Sequence, residues 1–133
     1  MAEVNQTMIS IEHVTKSFGD FKALDGVDLS VRKGEFLVVL GASGCGKSTL
    51  LNMIAGFEMP TTGRVVVNGR QVTDVDPHSG MVFQQYALFP WLTVLDNVAF
   101  GLKMKGMGRD ERRRVAQRYV EMVGLKDFAN SYP

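Results

Sequence analysis

The sequence has little cysteine, almost no net charge and no long hydrophobic run. Its single cysteine, Cys45, excludes an intramolecular disulfide and is typical of a reducing compartment. Fifteen Lys and Arg against fourteen Asp and Glu leave a formal net charge of +1, so we expect no nucleic acid among the partners. The longest strongly apolar run, Phe36–Leu40, is far shorter than the roughly 20 residues that span a membrane. Hydrophobic residues still make up 45% of the chain, which is enough to form a core.

Hydrophobic patterning predicts strands early in the chain. The segment from about Met8 to Val31 includes the alternation of apolar and polar residues that is typical of a half-buried strand. Phe36–Leu40 is apolar at every position, which predicts a strand buried on both faces of a parallel sheet. Asn68-Gly69 lies between two short apolar runs and predicts a two-residue hairpin. Met81–Phe83 predicts one further short strand.

Three helices are predicted, so the fold class is mixed α/β. The first begins near Lys47 and ends at Gly56 in a left-handed cap. The second is capped by Thr93, and the third covers about Arg109–Val123 and ends at Gly124. The residues expected to face the core are Val94, Val98 and Leu102 in the second helix, and Val115, Tyr119 and Met122 in the third.

The run GASGCGKST, residues 41–49, has the spacing G-x-x-x-x-G-K-[ST] of a phosphate-binding loop. Its glycines allow consecutive backbone N–H groups to point into one concavity at a helix N-terminus, where an anion is favoured. Lys47 supplies a positive charge for the outer phosphates, and Ser48 offers a hydroxyl to Mg²⁺. The alternative, a glycine-rich turn before an ordinary helix, explains neither the spacing nor the flanking elements. The loop therefore predicts a site for a nucleoside triphosphate with Mg²⁺.

Phosphate loops occur in GTPases, small-molecule kinases, motor ATPases and transporter ATPases. A GTPase is disfavoured because the sequence contains no Asn-Lys-x-Asp motif to read guanine. Further stretches surround the loop in order: Val14–Gly19, Ala23–Val27, Lys33–Glu35, Met81–Gln84 and Tyr86–Val94. With these, residues 7–133 resemble the ATP-binding subunits of ABC transporters. Pro90–Val94 with Asp96–Val98 is most similar to the bacterial nitrate, sulfonate and taurine importer ATPases.

The resemblance implies a fold and a domain organisation. The fold is α/β, a P-loop NTPase with an N-terminal antiparallel β-subdomain, the start of the RecA-like core and the start of the helical subdomain. Residues 1–133 are expected to form the N-terminal part of one nucleotide-binding domain, with the β-subdomain and P-loop core in 7–100 and the start of the helical subdomain in 101–133. The family's Leu-Ser-Gly-Gly signature, acidic Mg²⁺ strand and switch His do not occur among these residues. We therefore expect a truncated domain that does not hydrolyse ATP by itself.

The resemblance also assigns site residues. Phe18 matches the aromatic that stacks on the adenine ring, and Gln84 matches the glutamine that reaches Mg²⁺ and the attacking water. Lys47 and Gln84 are the expected catalytic residues, and Ser48 and Gln84 the expected Mg²⁺ ligands. The expected nucleotide contacts are Phe18, Gly41, Ala42, Ser43, Gly44, Cys45, Gly46, Lys47, Ser48 and Thr49.

The partners that the resemblance implies are ATP, a transmembrane permease subunit, a second ATP-binding subunit in a homodimer and, indirectly, a periplasmic binding protein. Residues 87–93 would receive the permease's coupling helix, and Phe89 and Trp91 are either aromatic anchors there or buried core. The expected location is cytoplasmic and peripheral, on the inner face of the cell membrane. The implied function is ATP hydrolysis that powers import of a small anion such as nitrate, sulfonate or taurine. The alternative is a nucleotide-binding module without hydrolysis, or a truncated product.

Overall fold

The computed structural model describes residues 6–76 and 79–133, which form two compact units, Met1–Val82 and Phe83–Pro133. Residues 1–5 and 77–78 of the predicted domain lie outside the described residues. A subdomain boundary at residue 100 stays a prediction. The elements are β1 (Thr7–Phe18), β2 (Phe21–Arg32), α1 (Lys47–Ala55), β3 (Thr62–Val67), β4 (Arg70–Gln71), α2 (Val94–Met104) and α3 (Arg109–Met122), with a short 3₁₀ turn at Lys126–Phe128.

The first unit is built on a four-stranded antiparallel sheet in the order β2-β1-β3-β4. β1 and β2 form a long hairpin across the turn Gly19-Asp20, and Phe18 pairs with Phe21 beside that turn. The predicted hairpin at Asn68-Gly69 is confirmed. Both residues have positive φ, 53° and 73°, as a two-residue turn between right-twisted strands requires.

The core of the first unit lies between α1 and the sheet. Met53 and Leu50 on one face of α1 pack against side chains from β1 and β3. The alternation in β2 is confirmed, since Val31 is buried while Ser30 and Arg32 are exposed. The buried residues of this core are Ile11, Val14, Leu50, Met53 and Val65.

The two apolar runs predicted as buried strands are not strands in this structure. Residues 36–40 form no strand, and the Phe36 side chain is 90% exposed. Met81–Phe83 is also irregular, with Val82 97% exposed. A strand buried on both faces needs hydrogen-bonded neighbours at both edges, and none of the described strands pairs with either segment. Both expectations are therefore wrong for the described sheet.

The second unit contains α2 and α3, whose predicted ends are confirmed. The Thr93 hydroxyl oxygen accepts a hydrogen bond of 3.2 Å from the backbone N–H of Asp96, which caps α2. Gly124 adopts a left-handed conformation, φ 74°, directly after the residue that caps α3. The longest described helix, α3, has 14 residues, and no helix in the described ranges combines the length and the apolar character needed to cross a bilayer.

The predicted core faces of α2 and α3 are only partly correct. Val94 packs against the core of this unit. Leu102 and Val115 are partly buried, whereas Val98, Tyr119 and Met122 are exposed. The buried positions are Leu95, Ala99, Ala116 and Val120, packed together with Ala129. The core of this unit therefore combines two larger apolar side chains, Leu95 and Val120, with three alanines.

Met53→Ala should destabilise the first unit by about 2–5 kcal/mol, because it removes a fully buried side chain from between α1 and the sheet. Leu51→Ala is the matched control, since Leu51 lies on the exposed side of the same helix. It should cost less than about 1 kcal/mol. Amide hydrogen exchange of β1 measures both changes in the first unit alone. Equal losses for the two variants would contradict the core position of Met53.

Candidate functional site

The phosphate loop ends where α1 begins, and two glycines shape that junction. Gly46 caps the N-terminus of α1 with a left-handed backbone, φ 95°, and Gly44 is also left-handed, φ 79°. The first intrahelical bond of α1 runs from the Leu50 N–H to the Gly46 oxygen, at 2.9 Å. The N–H groups of residues 47–49 therefore have no acceptor within the helix. They are the groups that a phosphate loop offers to an anion.

Gly46 lies so close to β2 that no side chain fits there. A Cβ atom on Gly46 would lie 2.7 Å from the backbone oxygen of Ala23 and 2.7 Å from the Leu24 Cδ2 atom. The left-handed backbone adds strain for any L residue with a side chain. Glycine at this position therefore allows α1 to start directly against the β1–β2 hairpin.

The Lys47 ammonium group is held by backbone carbonyl oxygens at the start of the phosphate loop. It donates to the carbonyl oxygens of Gly41 and Ala42, both at 2.7 Å, and lies 3.5 Å from the Cys45 sulfur. Two of its three N–H groups thus have strong acceptors, while the third faces only a thiol, which is a weak one.

A cleft of about 270 Å³ beside the loop joins it to the tip of the β1–β2 hairpin. It is lined by Phe18, Phe21, Ala23, Gly44, Gly46, Lys47, Ser48 and Thr49. Phe18, which the resemblance assigned to the base, therefore shares one cleft with half of the loop. Gly41, Ala42, Ser43 and Cys45 are exposed members of the same loop and do not line this cleft.

Sequence reasoning missed Phe21. The signal that could have found it is the symmetry of the turn Phe18-Gly19-Asp20-Phe21, in which an aromatic stands on each side of a two-residue connection. Facing positions of an antiparallel hairpin lie side by side. An aromatic opposite a candidate base-stacking residue is therefore near the same ligand.

Phe18 lies against a partly buried ammonium group, that of Lys16. The Lys16 Nζ atom lies 4.8 Å from the centre of the Phe18 ring and also bonds to Glu58 Oε1 at 2.6 Å and to the Met59 oxygen at 2.8 Å. The hydrogen bond from Lys16 holds the pKa of Glu58 below its ordinary 4.5. Since the folded pKa is depressed, this carboxylate stabilises the fold above pH 4.5, and its contribution is lost as the pH falls through the folded value.

Ser48 is the described residue that best fits a Mg²⁺ ion brought in by a nucleotide. It is exposed in the first turn of α1 and lines the cleft beside Lys47. Mg²⁺ keeps several waters and is shared with substrate phosphates, so Ser48 would be one oxygen ligand among several, and its contact with Mg²⁺ stays a prediction. Within residues 6–76 and 79–133, no cluster of three His, Cys, Asp or Glu side chains could hold a metal. Gln84 is exposed in an irregular segment of the second unit, and its approach to Mg²⁺ stays a prediction.

The loop before α2 in the second unit is fixed by one side chain. The Asn97 amide donates to the oxygens of Phe89, Leu92 and Thr93 at 3.0–3.1 Å and accepts from the Phe89 N–H at 2.8 Å. Phe89 is partly buried and packs on Phe100, with ring centres 4.5 Å apart. Trp91 contacts Phe89 yet remains 70% exposed. Of the two aromatics predicted as anchors, Trp91 thus offers the accessible surface.

Comparison with known proteins agrees with this geometry. A family model described as "ABC transporter" matches residues 24–133. An uncharacterized ABC transporter ATP-binding protein of Methanocaldococcus jannaschii is 47% identical over 129 residues, covering 94% of this chain and 48% of that protein. The spermidine/putrescine import ATP-binding protein PotA of Bacteroides thetaiotaomicron is 46% identical over 127 residues, covering 93% of this chain and 27% of that protein.

A solved structure is similar over nearly the whole chain. It is the dimeric post-hydrolysis state of the ATP-binding cassette MJ0796 bound to ADP and Pi, with a TM-score of 0.84 and 37% identity. The match covers 95% of this chain and 62% of that one. The expected fold, that of an ABC ATPase cassette, is therefore confirmed. The chain spans about half the length of the curated Methanocaldococcus relative and a smaller share of PotA.

Gly46→Ala should destabilise the first unit more than Gly44→Ala. Both changes place a side chain on a left-handed backbone, which costs about 1–2 kcal/mol. A Cβ at Gly44 meets nothing within 4 Å, whereas one at Gly46 meets the Ala23 oxygen, so Gly46→Ala should lose about 1–3 kcal/mol more. Thermal unfolding followed by circular dichroism measures the difference. Equal losses would refute the close approach as the reason for glycine at this position.

Proposed function

The chain belongs to the ABC transporter family, and we propose that it binds MgATP as the nucleotide-binding part of a transport ATPase. One observation carries the proposal: the first residues of α1, with Lys47 among them, line the same cleft as two exposed aromatic side chains, Phe18 and Phe21. Anion-binding groups at one end and a π surface at the other match the two chemically different ends of a nucleotide.

Each part of the cleft has a role in this proposal. The backbone N–H groups at the start of α1 and the Lys47 ammonium bind the phosphates, the Ser48 hydroxyl faces the Mg²⁺, and Phe18 stacks on the base. Bound Mg²⁺ supplies charge neutralisation to the phosphate oxygens. Gln84 orients the attacking water as a neutral amide and is, with Lys47, the proposed catalytic residue. The nucleotide contacts proposed are Phe18, Gly41, Ala42, Ser43, Gly44, Cys45, Gly46, Lys47, Ser48 and Thr49.

The activity of the whole protein is a wider proposal. It is ATP hydrolysis by a homodimer, on the inner face of the cell membrane, coupled to a transmembrane permease and indirectly to a periplasmic binding protein. Similarity to the importer ATP-binding protein PotA and to a dimeric cassette supports it. The exposed Trp91, on a loop that Asn97 fixes, supports a docking role for residues 87–93.

Lys47→Ala should weaken MgATP binding at least about tenfold, because it removes the charge that lies over the loop. Lys33→Ala, an exposed lysine in the turn after β2, is the control and should leave binding unchanged. Equilibrium dialysis measures binding and phosphate release measures turnover. Unchanged binding by Lys47→Ala would refute the site. If the full-length protein binds MgATP in a Lys47-dependent manner but releases no phosphate, the alternative of a non-hydrolysing nucleotide-binding module is favoured.

The identity of the transported solute is the most specific part of the proposal. Pro90–Val94 with Asp96–Val98 favours nitrate, sulfonate or taurine, whereas the named relative PotA imports spermidine and putrescine. Membrane vesicles that carry the full-length transporter should take up labelled taurine or nitrate in an ATP-dependent manner, and Lys47→Ala should abolish the uptake. Uptake of labelled spermidine instead would overturn the anion assignment and leave the ATPase proposal intact.

A further inference from the structure

We propose that Phe21 is a second aromatic contact for the nucleotide base, beside Phe18. The inference rests on the proposed function and deepens it by naming the residue that completes the base-binding end of the cleft. Phe21 lines that cleft together with Phe18 and the start of α1.

The backbone register places Phe18 and Phe21 directly opposite each other. Phe18 is the last residue of β1, Phe21 is the first of β2, and they are direct partners across the turn Gly19-Asp20. Facing side chains on an antiparallel pair lie about 4.5–5.5 Å apart at Cβ, so both can reach one planar group. The hairpin therefore places two aromatic residues, rather than a single one, where they could contact the same ligand.

The exposure of Phe21 is not explained by packing within the described part of the chain. Its side chain is 62% exposed, and Phe18 beside it is 48% exposed. Phe18 has the Lys16 ammonium against its ring, but within the described residues Phe21 has no ring or cation contact. Two exposed aromatic side chains that line one cleft offer a surface that a flat apolar ligand would cover.

The residues at the hairpin end of the cleft are suited to contact a nucleotide base, but they discriminate little between adenine and guanine. The hairpin end of the cleft is apolar and is lined by Phe18, Phe21 and Ala23. The polar lining residues, Lys47, Ser48 and Thr49, belong to the start of α1. Stacking on an aromatic ring tolerates any base, because every base has a π face. We therefore expect Phe18→Ala and Phe21→Ala each to weaken ATP and GTP binding to a similar degree.

The test compares ATP with inorganic tripolyphosphate, which has the phosphates but no base. Binding of each, with Mg²⁺, is measured by calorimetry for the chain and for Phe21→Ala, Phe18→Ala and Phe21→Trp. Phe128→Ala is the matched control, since Phe128 is similarly exposed in the second unit. Phe21→Ala should weaken ATP about fivefold or more and leave tripolyphosphate unchanged. Phe21→Trp should retain ATP binding, and Phe128→Ala should change neither ligand.

The outcomes separate this inference from the function on which it rests. If Phe21→Ala leaves ATP binding unchanged while Lys47→Ala weakens it, Phe21 is not a base contact and the proposed function stands. If Phe21→Ala weakens ATP and tripolyphosphate equally, Phe21 acts on the loop rather than on the base, and the inference is overturned. If neither ligand binds the chain, or Lys47→Ala has no effect on either, the proposed function fails and the inference fails with it.

Discussion

The nucleotide cleft depends on the contact between Gly46 and the backbone of β2. Because Gly46 has no side chain and a left-handed backbone, α1 starts within contact distance of the Ala23 carbonyl oxygen. This single approach places the unpaired N–H groups of the helix N-terminus beside the tip of the β1–β2 hairpin, where the aromatic rings lie. It also directs α1 across the sheet, so that Met53 reaches the core between the two layers. Binding site and core thus share one constraint.

The two ends of the cleft are held by different kinds of interaction. Backbone geometry positions the phosphate end, since the carbonyl oxygens of Gly41 and Ala42 orient Lys47. Side-chain charge positions the base end, where Lys16 spans Phe18 and Glu58. The Lys16 side chain is only 12% exposed, so this ion pair is shielded from solvent more than an ordinary surface pair. The segment that follows α1 is thereby tied to the residue that would stack on the base.

In the second unit, a polar side chain fixes a loop in front of a helix. In the first unit, a glycine has the corresponding role at the start of α1. Asn97 satisfies four backbone groups of the loop before α2, and Thr93 caps the same helix. The Asn97 side chain thereby fixes the backbone on both sides of Trp91, while the Trp91 side chain contacts Phe89 and remains 70% exposed.

The sequence by itself determined the features that depend on a few neighbouring residues. The start of α1 at Lys47, the hairpin at Asn68-Gly69, the Thr93 cap and the glycine ends of α1 and α3 all appear where they were predicted. Each of these is set by backbone conformations and hydrogen bonds within four or five residues, so local spacing is sufficient evidence.

The tertiary structure decided whatever depends on a partner distant in sequence. Residues 36–40 have the composition of a buried strand, but a strand exists only where another strand pairs with it. The buried faces of α2 and α3 include Ala99 and Ala116 beside Leu95 and Val120, and a sequence pattern based on the larger apolar side chains overlooks the alanines. The place of Phe21 beside the phosphate loop was decided in the same way. The pairing of Phe21 with Phe18 is local, but the approach of Gly46 to Ala23 is a contact between segments far apart in the chain, and it brings this turn against the start of α1.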